Sequence, residues 1–226
     1  MRKILVLNAK GGSGKTTLAT NLAAYYAKWG VPVYIADFDP QGSTADWVKS
    51  RPAALPSIKL ATNYDFSLRT SSKAEFLIMD APAATHGEEL RRILKLADTA
   101  IIPVLPSPLD IRTAGRFVFE IVSHEDFESL NVKLSVVANR VRENTLIYKT
   151  LKDYLSQLGV PFLTALRDTQ NYVKAVENGL SIFELPPRRI EKDVHQWEPL
   201  LAWLEQIPSL PKAKILHDGH VEKKSA

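Results

Sequence analysis

The chain has 226 residues, of which 45% are apolar and 24% charged, and a formal net charge of +4; this composition suits one globular domain with a sizeable core. It contains no cysteine, which excludes disulfide frameworks, iron–sulfur clusters, cysteine zinc sites and thiol nucleophiles. No apolar run approaches the roughly 18 residues of a membrane-spanning helix, and the N-terminal segment lacks the features of a signal peptide, so we expect a cytoplasmic protein.

Short apolar runs alternate with helix-like segments along the chain. The runs are rich in Ile and Val and lack polar alternation, which is typical of parallel strands buried on both faces; they cover 4–7, 33–36, 76–79, 100–105 and 134–138. The helix-like segments follow them and cover 15–29, 88–97, 111–122, 146–158 and 171–178. Gly30 and Gly179 stand after the first and the last of these helices, as C-terminal signals.

This alternation predicts right-handed βαβ units. We therefore expect an α/β fold, a single doubly wound domain with a mostly parallel sheet flanked by helices, over residues 1–207. Residues 47–56, which end in the sequence RPAALP, indicate a connection within this domain. Residues 208–226 are polar and contain several lysines, and we expect them to form a flexible C-terminal tail.

The first apolar run leads directly into a glycine-rich loop, KGGSGKTT at 10–17, and then into the first predicted helix. Glycines free backbone N–H groups to surround phosphate oxygens, and the helix N-terminus adds its positive pole. In such a loop Lys15 would bridge the β- and γ-phosphates of a nucleotide, and the Thr16 hydroxyl would bind Mg²⁺. The order of strand, loop, lysine, threonine and helix thus predicts a nucleotide-binding site.

One position departs from the standard phosphate-binding pattern, G-x-x-x-x-G-K-[ST]. Ala9 stands where the pattern has glycine, and Lys10 follows it. The segment is therefore either a damaged loop or a loop with a second cation beside it. A solvated surface lysine is the alternative reading of Lys10.

Two predicted strands end in carboxylates. Asp37 and Asp39 follow the second apolar run, and Asp80 follows the third. Because the carboxyl ends of parallel strands meet at one edge of a sheet, one of these groups can hold Mg²⁺ through water and another can orient an attacking water. Each aspartate could equally cap the turn that follows its strand.

Taken in chain order, these motifs resemble those of the deviant P-loop ATPases of the ParA/MinD group, and most of all the short ParA-type partition ATPases. The matching segments are KGGSGKTT, DFDPQG at 37–42, the strand that ends in Asp80, and PVLPSPLD at 103–110. Arg167 and the segment 171–184 extend the resemblance over nearly the whole chain.

The resemblance assigns roles to individual residues. In this group the lysine equivalent to Lys10 reaches across an ATP-bound homodimer to the phosphates held by the other subunit, so that hydrolysis depends on dimerisation. The resemblance also implies that Asp39 positions the attacking water with support from Asp37, that Asp80 holds Mg²⁺ through water together with Thr16, and that Asn139 faces adenine. The implied phosphate-binding residues are Gly11, Gly12, Ser13, Gly14, Lys15, Thr16 and Thr17.

By the same resemblance we expect a slow ATPase that uses ATP and Mg²⁺, dimerises with ATP, binds DNA nonspecifically and associates with the nucleoid. It would partition or position a cargo (a plasmid, a chromosome region or a protein complex) through a small adaptor or centromere-binding protein that stimulates hydrolysis. Basic residues are frequent in the second half of the chain, but acidic residues interleave with them, so an ordinary mixed surface stays open.

Two other functions stay open at this point. One is a metabolic ATP-dependent ligase of the same fold, similar to dethiobiotin synthetase, which need not carry Lys10. The other is a membrane-associated spatial regulator of the MinD type. We expect no membrane binding, because Pro211 and Gly219 interrupt the C-terminal segment and leave no apolar helix face. The predicted first strand begins at residue 4, so we expect no helix-turn-helix before it and no sequence-specific reading of DNA.

Overall fold

The computed structural model describes residues 1–64, 67–123 and 127–206. The expected C-terminal tail, 208–226, lies outside the described residues and stays a prediction. None of the described helices is long and apolar enough to cross a membrane.

The central sheet has seven strands, all joined by parallel pairing. In spatial order the strands are β3 (Ile58–Leu60), β2 (Val33–Asp37), β6 (Phe76–Asp80), β1 (Arg2–Val6), β7 (Thr99–Val104), β8 (Lys133–Val141) and β9 (Phe162–Arg167). A separate antiparallel hairpin is formed by β4 (Thr62–Tyr64) and β5 (Ser67–Arg69). The architecture confirms the predicted α/β fold with a mostly parallel sheet.

Helices follow most of the strands. They are α1 (Lys15–Ala27), α2 (Ser43–Ser50), α3 (Gly87–Leu94), α4 (Pro108–Val122), α5 (Phe127–Leu130), α6 (Leu146–Leu155), α7 (Gln170–Glu177) and α8 (Pro187–Glu205), with one 3₁₀ turn at Ile182–Glu184. All five predicted strands and all five predicted helices are present, with ends within three residues of the predicted ones.

The sheet is covered on both faces, which explains why its strands are continuous apolar runs. In β1, Ile4 faces one hydrophobic cluster and Leu5 faces the other, and both side chains are fully buried. Helices α1 and α8 supply the first cluster, where Trp197 is fully buried, and helices α3, α4 and α6 supply the second, which contains Phe117. Water reaches neither face of β1 from Ile4 to Val6, so polar alternation has no physical cause in this part of the strand.

The prediction of a connection over 47–56 is wrong for its first four residues, because α2 covers them. The first turn of α2 is supported by Asp37, whose carboxylate accepts the Ala45 N–H at 2.9 Å. Trp47 is buried, and its indole N–H donates to the Leu180 carbonyl at 3.1 Å. Leu180 lies far away in sequence, so this anchor of the helix could not be inferred from the local pattern.

The topology brings the predicted site together. Strand β1 lies at the centre of the sheet between β6 and β7, and β2 lies on the other side of β6. The residues that follow these strands therefore meet at the carboxyl edge, where ligands of parallel sheets bind.

Candidate functional site

The loop after β1 has a backbone that demands glycine at two positions. Gly12 and Gly14 have φ of 75° and 95°, a left-handed region that L side chains rarely adopt. A Cβ on Gly14 would also lie 2.0 Å from the Asn139 amide nitrogen. That nitrogen donates to the Ser13 carbonyl at 2.8 Å. Asn139, at the end of β8, thus fixes the loop by this hydrogen bond. It also fills the space that a side chain at position 14 would need.

A cleft of about 550 Å³ opens beside this loop. One wall is formed by the loop and the start of α1. The other is formed by the end of β8, which includes Arg140, and by the segment that follows β9, which includes Tyr172. The predicted site residues that line the cleft are Gly11, Gly12, Gly14, Lys15, Thr16, Thr17, Asp39 and Asn139. Ser13 and Asp80 are buried and do not line it, and neither does Lys10.

Lys15 is a largely buried cation, with 7% of its surface exposed. Its ammonium contacts the carbonyl oxygen of Lys10 at 3.4 Å. Burial lowers the pKa of Lys15, and the nearby carboxylates of Asp80 and Asp39 oppose that effect. A desolvated ammonium beside a loop of free N–H groups is suited to anionic phosphate oxygens.

Asp80 is the buried carboxylate of the site. Its Oδ2 accepts hydrogen bonds from the Thr16 hydroxyl at 2.7 Å and from the Thr44 hydroxyl at 2.6 Å. Its Oδ1 is buried and has no hydrogen-bond partner among the described residues. Burial raises the pKa of Asp80 to about 6, although both hydroxyls oppose the effect. An unpaired carboxylate oxygen and two hydroxyl oxygens form a hard donor set that fits Mg²⁺.

Thr44 is a member of this cluster that the sequence did not indicate. It lies in the first turn of α2 and is fully buried against Asp80. Only the pairing of β2 with β6 places Thr44 close to Asp80, and no short motif carries that information.

Asp39 lines the cleft and also stabilises a turn. Its Oδ1 accepts the N–H of Gln41 at 2.9 Å, as expected for the capping alternative. Its own N–H donates to Asp37 Oδ1 at 3.0 Å, so Asp37 holds both this turn and the start of α2. One carboxylate oxygen of Asp39 makes the turn, and the side chain still reaches the cleft.

Lys10 pairs within its own chain. Its ammonium lies 2.6 Å from Asp110 Oδ2, and the side chains are 39% and 5% exposed, respectively. Ser107, which caps the N-terminus of α4, also donates its hydroxyl to Asp110 Oδ2. Asn8 fixes the backbone of Lys10 by accepting its N–H at 2.9 Å. The ammonium of Lys10, the second cation of the loop, is therefore bound at the first turn of α4.

Asn139 lines the cleft and also holds the phosphate-binding loop. It is 4% exposed, and its amide nitrogen is already engaged by the Ser13 carbonyl. The following residue, Arg140, has a left-handed backbone with φ of 53° and is exposed at the wall of the cleft. A contact of Asn139 with adenine stays a prediction. Such a contact would involve atoms of the Asn139 side-chain amide that do not take part in the hydrogen bond to Ser13.

We predict that Asp80→Asn stabilises the protein in the absence of nucleotide and Mg²⁺ at pH 7.5. A carboxyl pKa raised from 3.8 to about 6 costs folding stability above pH 6, by about 3 kcal/mol. The cost falls to about 0.5 kcal/mol at pH 4 and disappears below about pH 3, where the folded and unfolded states are both protonated. Urea unfolding should therefore give Asp80→Asn a higher free energy of unfolding than wild type at pH 7.5. This difference should shrink toward pH 4.

The matched control is Asp46→Asn, which neutralises an exposed carboxylate of α2 whose ion pair is also exposed. It should change stability by about 0.5 kcal/mol or less at either pH. If the difference in unfolding free energy between Asp80→Asn and wild type is the same at both pH values, the claim that burial raises the pKa of Asp80 is contradicted.

Comparisons with known proteins identify the family of the chain. The family described as the CobQ/CobB/MinD/ParA nucleotide binding domain matches residues 4–182. The maintenance of carboxysome distribution protein A of Halothiobacillus neapolitanus is 30% identical over 194 residues, which are 82% of this chain and 88% of that protein.

Solved structures show the same fold. An ATP complex of a Cyanothece McdA variant has a TM-score of 0.66 at 18% identity, over 88% of this chain and 96% of that chain. The septum site-determining protein MinD of Pyrococcus horikoshii, solved with Mg-ADP, has a TM-score of 0.64 at 15% identity, over 95% of this chain and 99% of that chain. Both of these structures hold an adenine nucleotide, and the family model that matches this chain describes a nucleotide binding domain.

The family match covers more than half of the chain and includes the predicted phosphate-binding loop. It confirms the resemblance to the ParA/MinD group that the motifs indicated. The chain belongs to the CobQ/CobB/MinD/ParA family of nucleotide-binding domains.

Proposed function

We propose that this protein is an ATP-switched positioning ATPase: a homodimer that forms with ATP, binds nucleoid DNA without sequence preference and positions a cargo through an adaptor. The observation that carries the proposal is Lys10, a second cation of the phosphate-binding loop that lies outside the cleft of its own chain. The similarity to a carboxysome distribution protein supports the same class of function.

Within one subunit, each residue of the site has a chemical task. Lys15 and the N–H groups of the loop bind the β- and γ-phosphates. Thr16 and Asp80 would hold Mg²⁺, which supplies positive charge to the phosphates when it is bound. Asp39 orients the attacking water with its remaining carboxylate oxygen, and Asp37 keeps the Asp39 turn in place.

Lys10 completes the site from the other subunit. To do so it exchanges the carboxylate of Asp110 for the phosphates bound by the facing chain, in the manner of a cation supplied in trans. The exposed apolar side chains of Leu146 and Val173, at the first turns of α6 and α7, support a contact at this edge of the sheet, since they are 80% and 43% exposed. Hydrolysis is then possible only in the closed dimer.

We predict that Lys15→Ala abolishes ATP binding, because it removes the phosphate cation of the same subunit. In contrast, Lys10→Ala should bind ATP within about threefold of wild type but lose at least about 100-fold in hydrolysis, since a cation supplied in trans contributes on that order or more. Titration with a fluorescent ATP analogue and phosphate release measure the two effects separately.

Lys49→Ala is the matched control, because Lys49 is an exposed lysine with only a surface ion pair. It should leave both measurements unchanged. Equal losses of ATP affinity in Lys10→Ala and Lys15→Ala would contradict the trans role. Turnover that depends on a metabolite, without DNA or an adaptor, would instead favour the ligase alternative.

The DNA-binding part of the proposal is supported by the net charge and by exposed basic side chains. Between residues 140 and 192 the basic side chains are exposed except for Arg167, which pairs with the buried Asp193. The exposed ones are Arg140, Arg142, Lys149, Lys152, Lys174, Arg188, Arg189 and Lys192.

We predict that DNA binding requires ATP and weakens steeply with salt. Each phosphate contact contributes a slope of about −0.9 in log K against log salt, and the dimer doubles the number of contacts. Fluorescence anisotropy with several unrelated duplexes measures the slope, and Lys15→Ala serves as the control that cannot load ATP. A strong preference for one duplex at fixed salt, or equal binding without ATP, would refute this part of the proposal.

A further inference from the structure

Helix α2 brings Thr44 to the proposed magnesium site, yet little of this helix is buried. Of the eight residues that the structure describes in it, only Thr44 and Trp47 are buried. A helix of this length is not stable by itself, so its position depends on a small number of specific contacts. At its N-terminal end these are the hydrogen bonds from Thr44 to Asp80 and from the Ala45 N–H to Asp37.

The C-terminal end of α2 is held by a buried ion pair. Arg51, the residue after the helix, donates to both carboxylate oxygens of Glu184, at 3.2 and 2.7 Å. The two side chains are 6% and 3% exposed, and the guanidinium lies 4.8 Å from the centre of the Trp47 ring. Burial disfavours the charged carboxylate, but the hydrogen bonds from Arg51 and from the Ser181 N–H outweigh it and lower the pKa of Glu184. Such a bidentate pair fixes geometry as well as charge.

Glu184 is the last residue of a short segment, 179–184, that lies against α2. We call this segment the hub. Besides the contact with the Trp47 indole described above, its backbone touches the end of the helix. Gly179 has φ of 65°, and a Cβ on it would lie 2.4 Å from the Ser50 carbonyl oxygen. The hub and the C-terminal end of α2 are therefore packed backbone against backbone, with the ion pair beside them.

The hub also contacts α1, the helix that follows the phosphate-binding loop. The Ile182 N–H donates to Asn21 Oδ1 at 2.7 Å, and this hydrogen bond is buried. Helices α1 and α2 are thus joined at two places. At their first turns Asp80 accepts the hydroxyls of Thr16 and Thr44, and farther along both helices are bound to the hub. This closed frame holds the two hydroxyls in place relative to each other.

We propose that Arg51 and Glu184 are positioning residues of the magnesium site. The pair fixes the place of α2 and so holds the Thr44 hydroxyl on Asp80. This inference rests on the proposed function, in which Asp80 and Thr16 hold Mg²⁺. By engaging Oδ2, Thr44 keeps the carboxylate in the orientation that leaves Oδ1 unpaired. Hydrogen bonds to a ligating carboxylate typically contribute about 10-fold to 100-fold to metal affinity.

A role in stability alone is the competing explanation for this ion pair. A buried ion pair contributes little to stability compared with apolar side chains of similar size, whereas removal of one partner leaves a buried charge without compensation. A double variant that removes both charges therefore separates the two roles. It can keep the stability of the fold while it loses the fixed bidentate geometry.

The test compares R51M/E184M, which replaces the pair by flexible apolar side chains, with Thr44→Val, which removes only the hydroxyl. The affinity for a fluorescent ATP analogue is measured in EDTA and at saturating Mg²⁺. In EDTA both variants should bind the analogue as wild type does, because Lys15 and the loop are intact. The factor by which Mg²⁺ strengthens binding should fall about tenfold in each variant. Adding Thr44→Val to R51M/E184M should reduce it no further, because both changes remove the same contact.

The matched control is D46M/K49M, which replaces the exposed ion pair of the same helix by the same side chains. It should keep the full effect of Mg²⁺ on analogue binding. R51K keeps the positive charge but not the bidentate contact, so it should also weaken the effect of Mg²⁺. This variant decides the test if R51M/E184M does not fold.

Four outcomes would overturn the inference: an effect of Mg²⁺ that the Arg51 variants leave intact, a wild-type effect in Thr44→Val, losses that add in the combined variant, or an equal loss in D46M/K49M. A wild-type chain whose analogue binding does not respond to Mg²⁺ would refute the proposed magnesium site and the proposed function with it. A wild-type response that R51M/E184M retains would refute only the positioning role.

Discussion

The ion pair between Lys10 and Asp110 is the interaction on which the proposed switch depends. Asp110 is 5% exposed, so its carboxylate needs a cation or hydrogen-bond donors when it is charged. Lys10 is 39% exposed, so it is the partner that can leave the pair. Its departure leaves the buried Asp110 carboxylate with a hydrogen bond from the Ser107 hydroxyl, which has a cost. In the proposed switch, the phosphates on the facing subunit offset this cost by attracting the same cation.

A second coupling runs through the segment that connects β2 to α2. Asp37 accepts hydrogen bonds from the N–H groups of both Asp39 and Ala45, and Thr44 donates to Asp80. The proposed water-positioning residue and the proposed Mg²⁺ site thus share one short piece of backbone.

The sequence predicts the parts of this site that depend on local physics. The loop from Lys10 to Thr17, the strand before it and the helix after it are contiguous, so spacing alone was enough to indicate them. Asp80 was indicated because it ends a strand of a parallel sheet. The hydroxyl of Thr44, the pairing of Lys10 with Asp110 and the donation from Asn139 to Ser13 join residues that are 36, 100 and 126 positions apart. These partners come together only in the folded sheet, so no local sequence pattern predicts their contacts.

The trans role of Lys10 is tested most directly by mixing two inactive subunits. Lys10→Ala retains Asp39, and Asp39→Ala retains Lys10, so a mixed dimer contains one site that has both groups only if Lys10 acts across the interface. An equal mixture should then recover roughly a quarter of the wild-type ATPase rate, because half of the dimers are mixed and each has one complete site. Rates that stay at the level of the separate variants, although mixed dimers form, would contradict the account.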